Sequence, residues 1–142
     1  MSETMTRPVS AKVGDSFSLR LVEDLKRTQI VQYAGASGDY NPLHSDEIFT
    51  TKVAGYPSVF AHGMLTMGMT GKLLTDTFGV ANMRKYGVRF TSQVFPGDTL
   101  DATATVTEVV EEGGEKRAKV DVKTVNQNGV EVLSGYAEAK IA

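Results

Sequence analysis

The chain has 142 residues, one domain's worth of polymer, with 41% hydrophobic and 23% charged side chains, a balance that excludes global disorder and fibrous repeats. Fifteen basic against seventeen acidic residues leave a formal charge of −2, so no global field recruits nucleic acid or an anionic membrane. Cysteine is absent and histidine occurs twice, as His44 and His62, which removes disulfides, thiolate nucleophiles, Fe–S clusters and cysteine zinc sites together.

The first fifteen residues, MSETMTRPVSAKVGD, hold no apolar run of signal-peptide length, and the chain is expected to be cytoplasmic. A single domain over 1–142 is expected, with residues 1–12 as a mobile arm. A short strand is predicted at Phe17–Val22 and a helix at Glu23–Ala36, with Leu25, Ile30, Val31 and Ala34 available for burial. Ser37–His44 reads as a loop, because Gly38, Asp39, Asn41 and Pro42 are turn formers crowded together. A brief helix is predicted at Asp46–Val53. Ala61–Phe78 reads as a longer helix, and its apolar first half, Met64, Leu65, Met67 and Met69, predicts enclosure on most sides. Gly68 and Gly71 each cost about 1 kcal/mol of helix propensity relative to alanine, which suggests a close approach of a sheet or ligand to the backbone.

Beyond this point the pattern alternates with period two. Arg84–Val94, Asp98–Val110 and two runs around Ala118–Lys123 and Ala137–Ile141 read as four long strands, divided by Pro96-Gly97-Asp98, Gly113-Gly114 and Asn128-Gly129. The last two dividers are hairpin signals. A straight strand over Asp98–Val110 would reach about 43 Å, longer than the domain is wide, so the sheet must curl. The helix at Ala61–Phe78 is the element suited to fill that curl. The fold class expected is therefore α+β, an antiparallel sheet of about five strands wrapped around a central helix.

Chemistry concentrates in Ser37-Gly38-Asp39-Tyr40-Asn41-Pro42-Leu43-His44. A turn can bring the Asp39 carboxylate and the His44 imidazole to one point, and Pro42 stiffens the segment between them. Fixed geometry of that kind suits acid–base work. The alternative is that Asp39 and Asn41 form only Asx turns and His44 is a surface histidine. Ala61-His62-Gly63-Met64 opens the apolar helix, where backbone N–H groups are unpaired and the macrodipole is positive. The Gly63 N–H can hold an oxyanion there, or the glycine can merely relieve crowding. His62 is expected to donate to a nearby carbonyl. A metal site on His44, His62 and an acidic neighbour is disfavoured, because the two histidines have no short ligand spacing.

Tyr33-Ala34-Gly35-Ala36, SGDYNPLH, AHGMLTMG at Ala61–Gly68, Val88-Arg89-Phe90 and Val94-Phe95-Pro96-Gly97-Asp98 together resemble the MaoC-like hydratases, a family that includes (R)-specific enoyl-CoA hydratases and (3R)-hydroxyacyl-ACP dehydratases. The run from Tyr33 to Gly68 is most similar to the B-type catalytic subunit of actinobacterial (3R)-hydroxyacyl-ACP dehydratases. The resemblance implies a hotdog fold and reversible hydration of trans-2-enoyl thioesters. It makes Asp39 and His44 the catalytic pair, Asn41 a polar residue shaping the site, and Gly63 the donor to the thioester carbonyl. Some members have a serine eight residues past that glycine, where this chain has Gly71. No cofactor is implied beyond the CoA or phosphopantetheine carried by the substrate. Lys72, Arg84, Lys85 and Arg89 are candidate contacts for a phosphate or an acidic carrier protein. A dimer is implied, with an identical or a related hotdog chain as the second subunit. A hotdog thioesterase and a non-catalytic partner subunit are the competing functions.

Overall fold

One face of the sheet is lined by small residues. Ala102, Ala104, Ala118, Ala137 and Ala139 are all at most 1% exposed, and their short side chains let a helix lie close against the strands that carry them. In the computed structural model, which describes residues 7–142, those strands are β3 (Leu100–Glu112), β4 (Glu115–Val125) and β5 (Glu131–Lys140), joined by β1 (Ser16–Val22) and β2 (Met83–Phe90). All pairings are antiparallel, in the order β1-β3-β4-β5-β2. The β3–β4 hairpin turns at Gly113 and Gly114, whose φ values of 61° and 76° are the positive-φ pair that a tight type I′ connection demands. Register slips at Arg20/Val22, Met83/Lys85, Val106/Glu108 and Thr124/Val125 bend the strands, as bulges do, and produce the curl that strand length requires.

Two helices complete the fold, α1 (Arg27–Ser37) and α2 (Gly63–Phe78). The second lies in the concave face and buries Leu73, Leu74 and Phe78 among the alanines and Val106, Val120 and Val122. Phe78 is fully buried and meets Phe17 edge-on at 5.8 Å; burying such a ring contributes about 3 kcal/mol. Thr70 on the same helix is hydrogen-bonded to Thr124 on β4 at 2.7 Å, both hydroxyls fully buried. A second cluster of Leu25, Ile30, Ala61, Val94, Leu100, Val132 and Leu133 closes the end from which the site projects. No helix among the described residues is long and apolar enough to cross a membrane.

Several local expectations are corrected. The first helix begins at Arg27, because Leu25 is held extended by two backbone bonds, its N–H to Asp98 and its carbonyl from Gly97. Val31 points outward at 59% exposure. The brief helix becomes a π-helical turn at Phe49–Val53, and the strand expected to run to Val94 leaves the sheet after Phe90. Enclosure of α2 is one-sided: Met64, Gly68 and Lys72 are exposed. A Cβ on Gly68 would meet nothing within 4 Å, whereas one on Gly71 would lie 3.3 Å from the Tyr86 ring. Of the arm expected over 1–12, residues 1–6 lie outside the described residues. In the remainder, Val9 and Ala11 pack on the core and Val9 accepts a hydrogen bond from the Ala142 N–H at 2.8 Å.

Candidate active site

Gly38 ends α1 in the left-handed region at φ 75°, its N–H returning to Ala34. A ladder of side-chain turns follows. The Asp39 N–H donates to Ser37 Oγ at 3.2 Å, the Asn41 N–H to Asp39 Oδ1 at 3.2 Å, and the Leu43 N–H to Asn41 Oδ1 at 3.0 Å. Pro42 then starts a single 3₁₀ turn that ends on His44. The Asx turns are therefore real, and they orient one oxygen of Asp39 while leaving the other to the site. Asn41 acts as the turn former between the two candidate groups.

A short extended segment, Val59–His62, pins this loop. The Phe60 N–H donates to the Leu43 carbonyl at 3.2 Å, and the Ala61 N–H donates to Val94 at 2.7 Å on the other side. His44 Nδ1 lies 2.6 Å from the Phe60 carbonyl and His62 Nε2 lies 3.0 Å from the Asp39 carbonyl. A carbonyl only accepts, so each of those ring nitrogens carries a proton. In the neutral rings the free positions are His44 Nε2 and His62 Nδ1. Glu47 holds the start of the segment through the Val59 N–H at 3.3 Å and is itself bound by Arg27 at 2.6 Å. That guanidinium keeps the Glu47 carboxyl below the usual carboxylate range.

One donor atom from each of Asp39, His44 and His62 lies within 4.8 Å of the others, so the fold overrides the sequence spacing and gathers all three. Stacking weighs against chelation. The imidazoles lie face to face, with centroids 3.8 Å apart and planes inclined by 23°. Their in-plane lone pairs run side by side, whereas one metal needs them to converge at about 2.1 Å. The pair instead presents a carboxylate and an imidazole acceptor to one small volume, an arrangement that can hold a water by its hydrogens.

Gly63 is the first residue of α2. His62's carbonyl takes the N–H groups of Leu65 and Thr66, and among the described residues nothing accepts from the Gly63 N–H. Gly63 lines a cavity of about 230 Å³ that shares Phe60 with the His44 contact and is walled by Phe90 and Val94. A Cβ at position 63 would sit 3.0 Å from two carbons of the Phe90 ring. The crowding explanation for this glycine thus holds together with the free donor. Phe60 carried no signal in the sequence beyond its aromaticity, and Phe90 entered only as part of the Val88-Arg89-Phe90 segment of the family resemblance.

The four candidate phosphate contacts are dispersed. Lys72 pairs with Asp76 on α2, Arg84 forks onto Glu115 at 2.7 and 3.1 Å, and Lys85 meets Glu138 at 3.3 Å. Arg89 lines a groove of about 630 Å³ with Lys123, Ser134 and Tyr136. None of the four joins the Asp39–His44 cluster.

A curled five-stranded antiparallel sheet around a central helix, with the Asp39–His44 loop beside the helix N-terminus, defines a hotdog protein. The chain superposes with a TM-score of 0.81 on the (R)-hydratase from A. caviae involved in PHA biosynthesis, at 27% identity over 94% of this chain and 98% of that one. Residues 7–129 match the MaoC like domain, and the chain belongs to that family. The mitochondrial 3-hydroxyacyl-[acyl-carrier-protein] dehydratase of Arabidopsis thaliana is 31% identical over 129 residues, 90% of this chain and 76% of the relative. The 3-hydroxyacyl-thioester dehydratase Y of Mycobacterium tuberculosis is 45% identical over 75 residues, 51% of this chain. The chain spans only 26% of that relative's length and 32% of a peroxisomal enoyl-CoA hydratase 2.

Proposed function

We propose that the chain catalyses reversible hydration of trans-2-enoyl thioesters to (R)-3-hydroxyacyl thioesters. The observation that carries this reading is the hydrogen bond from His44 Nδ1 to the Phe60 carbonyl at 2.6 Å, which turns Nε2 into an acceptor beside the Asp39 carboxylate. A single water donates its two hydrogens to these groups. Its oxygen attacks C3 while the pair takes one proton, and the pair delivers a proton to C2, so that one H and one OH are added across the double bond. Charge that develops on the thioester oxygen is received by the Gly63 N–H. No metal or organic cofactor enters the scheme beyond the substrate's own CoA or phosphopantetheine.

Asp39→Asn preserves the acceptor for the Asn41 N–H, and His44→Ala removes a half-buried ring at the loop's end. Loss of one acid–base group lowers hydration by about 10²- to 10⁴-fold, followed as absorbance loss of crotonyl-CoA with melting curves as a control for folding. Wild-type rates in both variants would sink the assignment, and release of free thiol without hydration would indicate a thioesterase. The same acyl chain presented on CoA and on acyl carrier protein assigns the carrier.

Strands β1 and β2 end the sheet with unpaired backbone edges, and such edges are commonly covered by association. We infer pairing through β2 with a second hotdog chain. Phe90 at the end of that strand is half exposed, and the ChsH1-ChsH2 complex of Mycobacterium tuberculosis shares the fold at a TM-score of 0.78. Light scattering on the chain expressed alone distinguishes a self-pairing subunit from one that requires a related partner.

A further inference from the structure

His62 stands outside the reaction just described, yet it touches both halves of the pair. Its Nε2–H donates to the main-chain carbonyl of Asp39 at 3.0 Å, and its ring stacks on His44 at 3.8 Å. Tyr33 of α1 also abuts the ring, edge-on at 4.8 Å. The residue is 2% exposed, and its Nδ1 is buried without a partner among the described residues. A proton on Nδ1 would meet no acceptor, while a proton on Nε2 meets one, so the geometry selects a single tautomer. That tautomer is the opposite of His44's, where Nδ1 carries the proton. A buried ring that leaves one nitrogen unsatisfied is an expensive way to fill space, and leucine would fill it with no orphaned ring nitrogen.

We propose that His62 is the positioning residue of the site: held as the Nε2–H tautomer against Tyr33 and His44, it fixes the Asp39 backbone and the His44 ring relative to each other. Without it, the Asp39 carbonyl loses its donor and the His44 ring loses the surface that sets its tilt about the Phe60 hydrogen bond. The water between carboxylate and imidazole must be placed within a fraction of an ångström, and misplacement by about 1 Å lowers a rate on the order of 10²-fold. The inference rests on the hydratase reading above for its kinetic half only.

The protein carries two histidines, so long-range ¹H–¹⁵N spectra of the labelled chain resolve both rings, and a His62 variant assigns them. Wild type is expected to show His62 protonated on Nε2 and His44 on Nδ1. His62→Gln keeps a donor within reach of Asp39, His62→Phe keeps the stacked ring, and His62→Leu keeps neither. With crotonyl-CoA, kcat is expected to fall about 10- to 100-fold in the leucine variant and less in the other two, with KM within about twofold throughout. The His44 ring signals should move in the leucine variant and stay near wild type in the phenylalanine one. Should the leucine variant fail to fold, the glutamine and phenylalanine variants and the wild-type spectrum still decide. A wild-type His62 protonated on Nδ1 overturns the proposal, as does a leucine variant with wild-type kcat, or a loss expressed in KM alone. An inactive wild-type protein that shows the expected tautomers overturns the hydratase reading and the kinetic half, and leaves the positioning of His44 supported.

Discussion

Adding one methyl group at Gly63 separates the two explanations for that glycine. A Cβ there would lie 3.0 Å from Phe90 Cδ2 and Cε2 and 3.1 Å from Cγ, against about 3.5–4.0 Å for a relaxed carbon contact. The ring must retreat by roughly 0.5 Å. Phe90 is the last residue of β2 and is 50% exposed, so it can swing outward for about 1 kcal/mol. Alanine also gains up to about 1 kcal/mol of helix propensity over glycine. The two effects nearly cancel, and Gly63→Ala is expected to melt within about 4 °C of wild type. Activity should respond differently, because the methyl enters the cavity that Gly63 lines. If the Gly63 N–H receives the thioester oxygen, displacing it lowers kcat by about 10²- to 10³-fold. Steady-state hydration of crotonyl-CoA provides the rate, and a double variant with Phe90→Ala removes the crowding without restoring the donor's access. A kcat within twofold of wild type in Gly63→Ala refutes the oxyanion role. Full rescue by Phe90→Ala would show that ring displacement alone caused the loss.

The remaining predictions concern groups around the site. Tyr86 donates to the Met67 carbonyl at 2.7 Å, and burial pushes its phenol up to about 12; in an absorbance titration of the five tyrosines it should ionise among the last, and Tyr86→Phe should delete that late step. The Arg84 hydrogen bonds, assisted by Arg117, hold the Glu115 carboxyl down to about 2. A depressed carboxyl stabilises the fold fully above its ordinary value of 4.5 and loses that contribution as pH falls toward about 2, so Glu115→Gln should flatten the acid limb of a stability profile, with its largest loss of stability above about pH 5 and its smallest near about pH 2. Thr70→Val or Thr124→Val alone strands a buried hydroxyl and is expected to cost about 1–3 kcal/mol in urea unfolding, whereas the double variant should be nearly neutral; a double variant as destabilised as the sum of the singles would contradict the pairing.

The Asp39–His44 loop was legible in the sequence because its geometry is local. Turn formers and Pro42 act over a few residues, and Asp39, Asn41 and His44 stand where those turns put them. The alternating strands and the curled sheet were legible for a similar reason, since side-chain period and strand length are properties of a single run. What escaped notice depends on partners distant in sequence. Spacing counted against a metal site on His44 and His62 and said nothing of their proximity, yet Phe60 pairs with Leu43 and delivers the second ring onto the first. Val31 fits the apolar count of its helix, but the second cluster covers only the side bearing Ile30 and Ala34. The open face of α2 follows from the same blindness, because an apolar stretch does not announce whether its own sheet or another surface covers each side.

The hydrogen bonds from Val59–His62 back to Asp39, Leu43 and His44 have a consequence for how this fold tolerates change. Every group proposed to take part in the hydration step lies between Asp39 and Gly63, and the stretch closes on itself before it meets the sheet. Insertions at the exposed residues 52–55 lengthen a surface excursion without moving the two ends of that closure. The strands can drift in sequence, so long as their small concave residues still admit the helix. Chemistry and scaffold are thereby uncoupled: the site behaves as a portable cassette, and transplanting it whole onto an inert hotdog chain is a more plausible route to a new catalyst than installing an aspartate and a histidine one at a time.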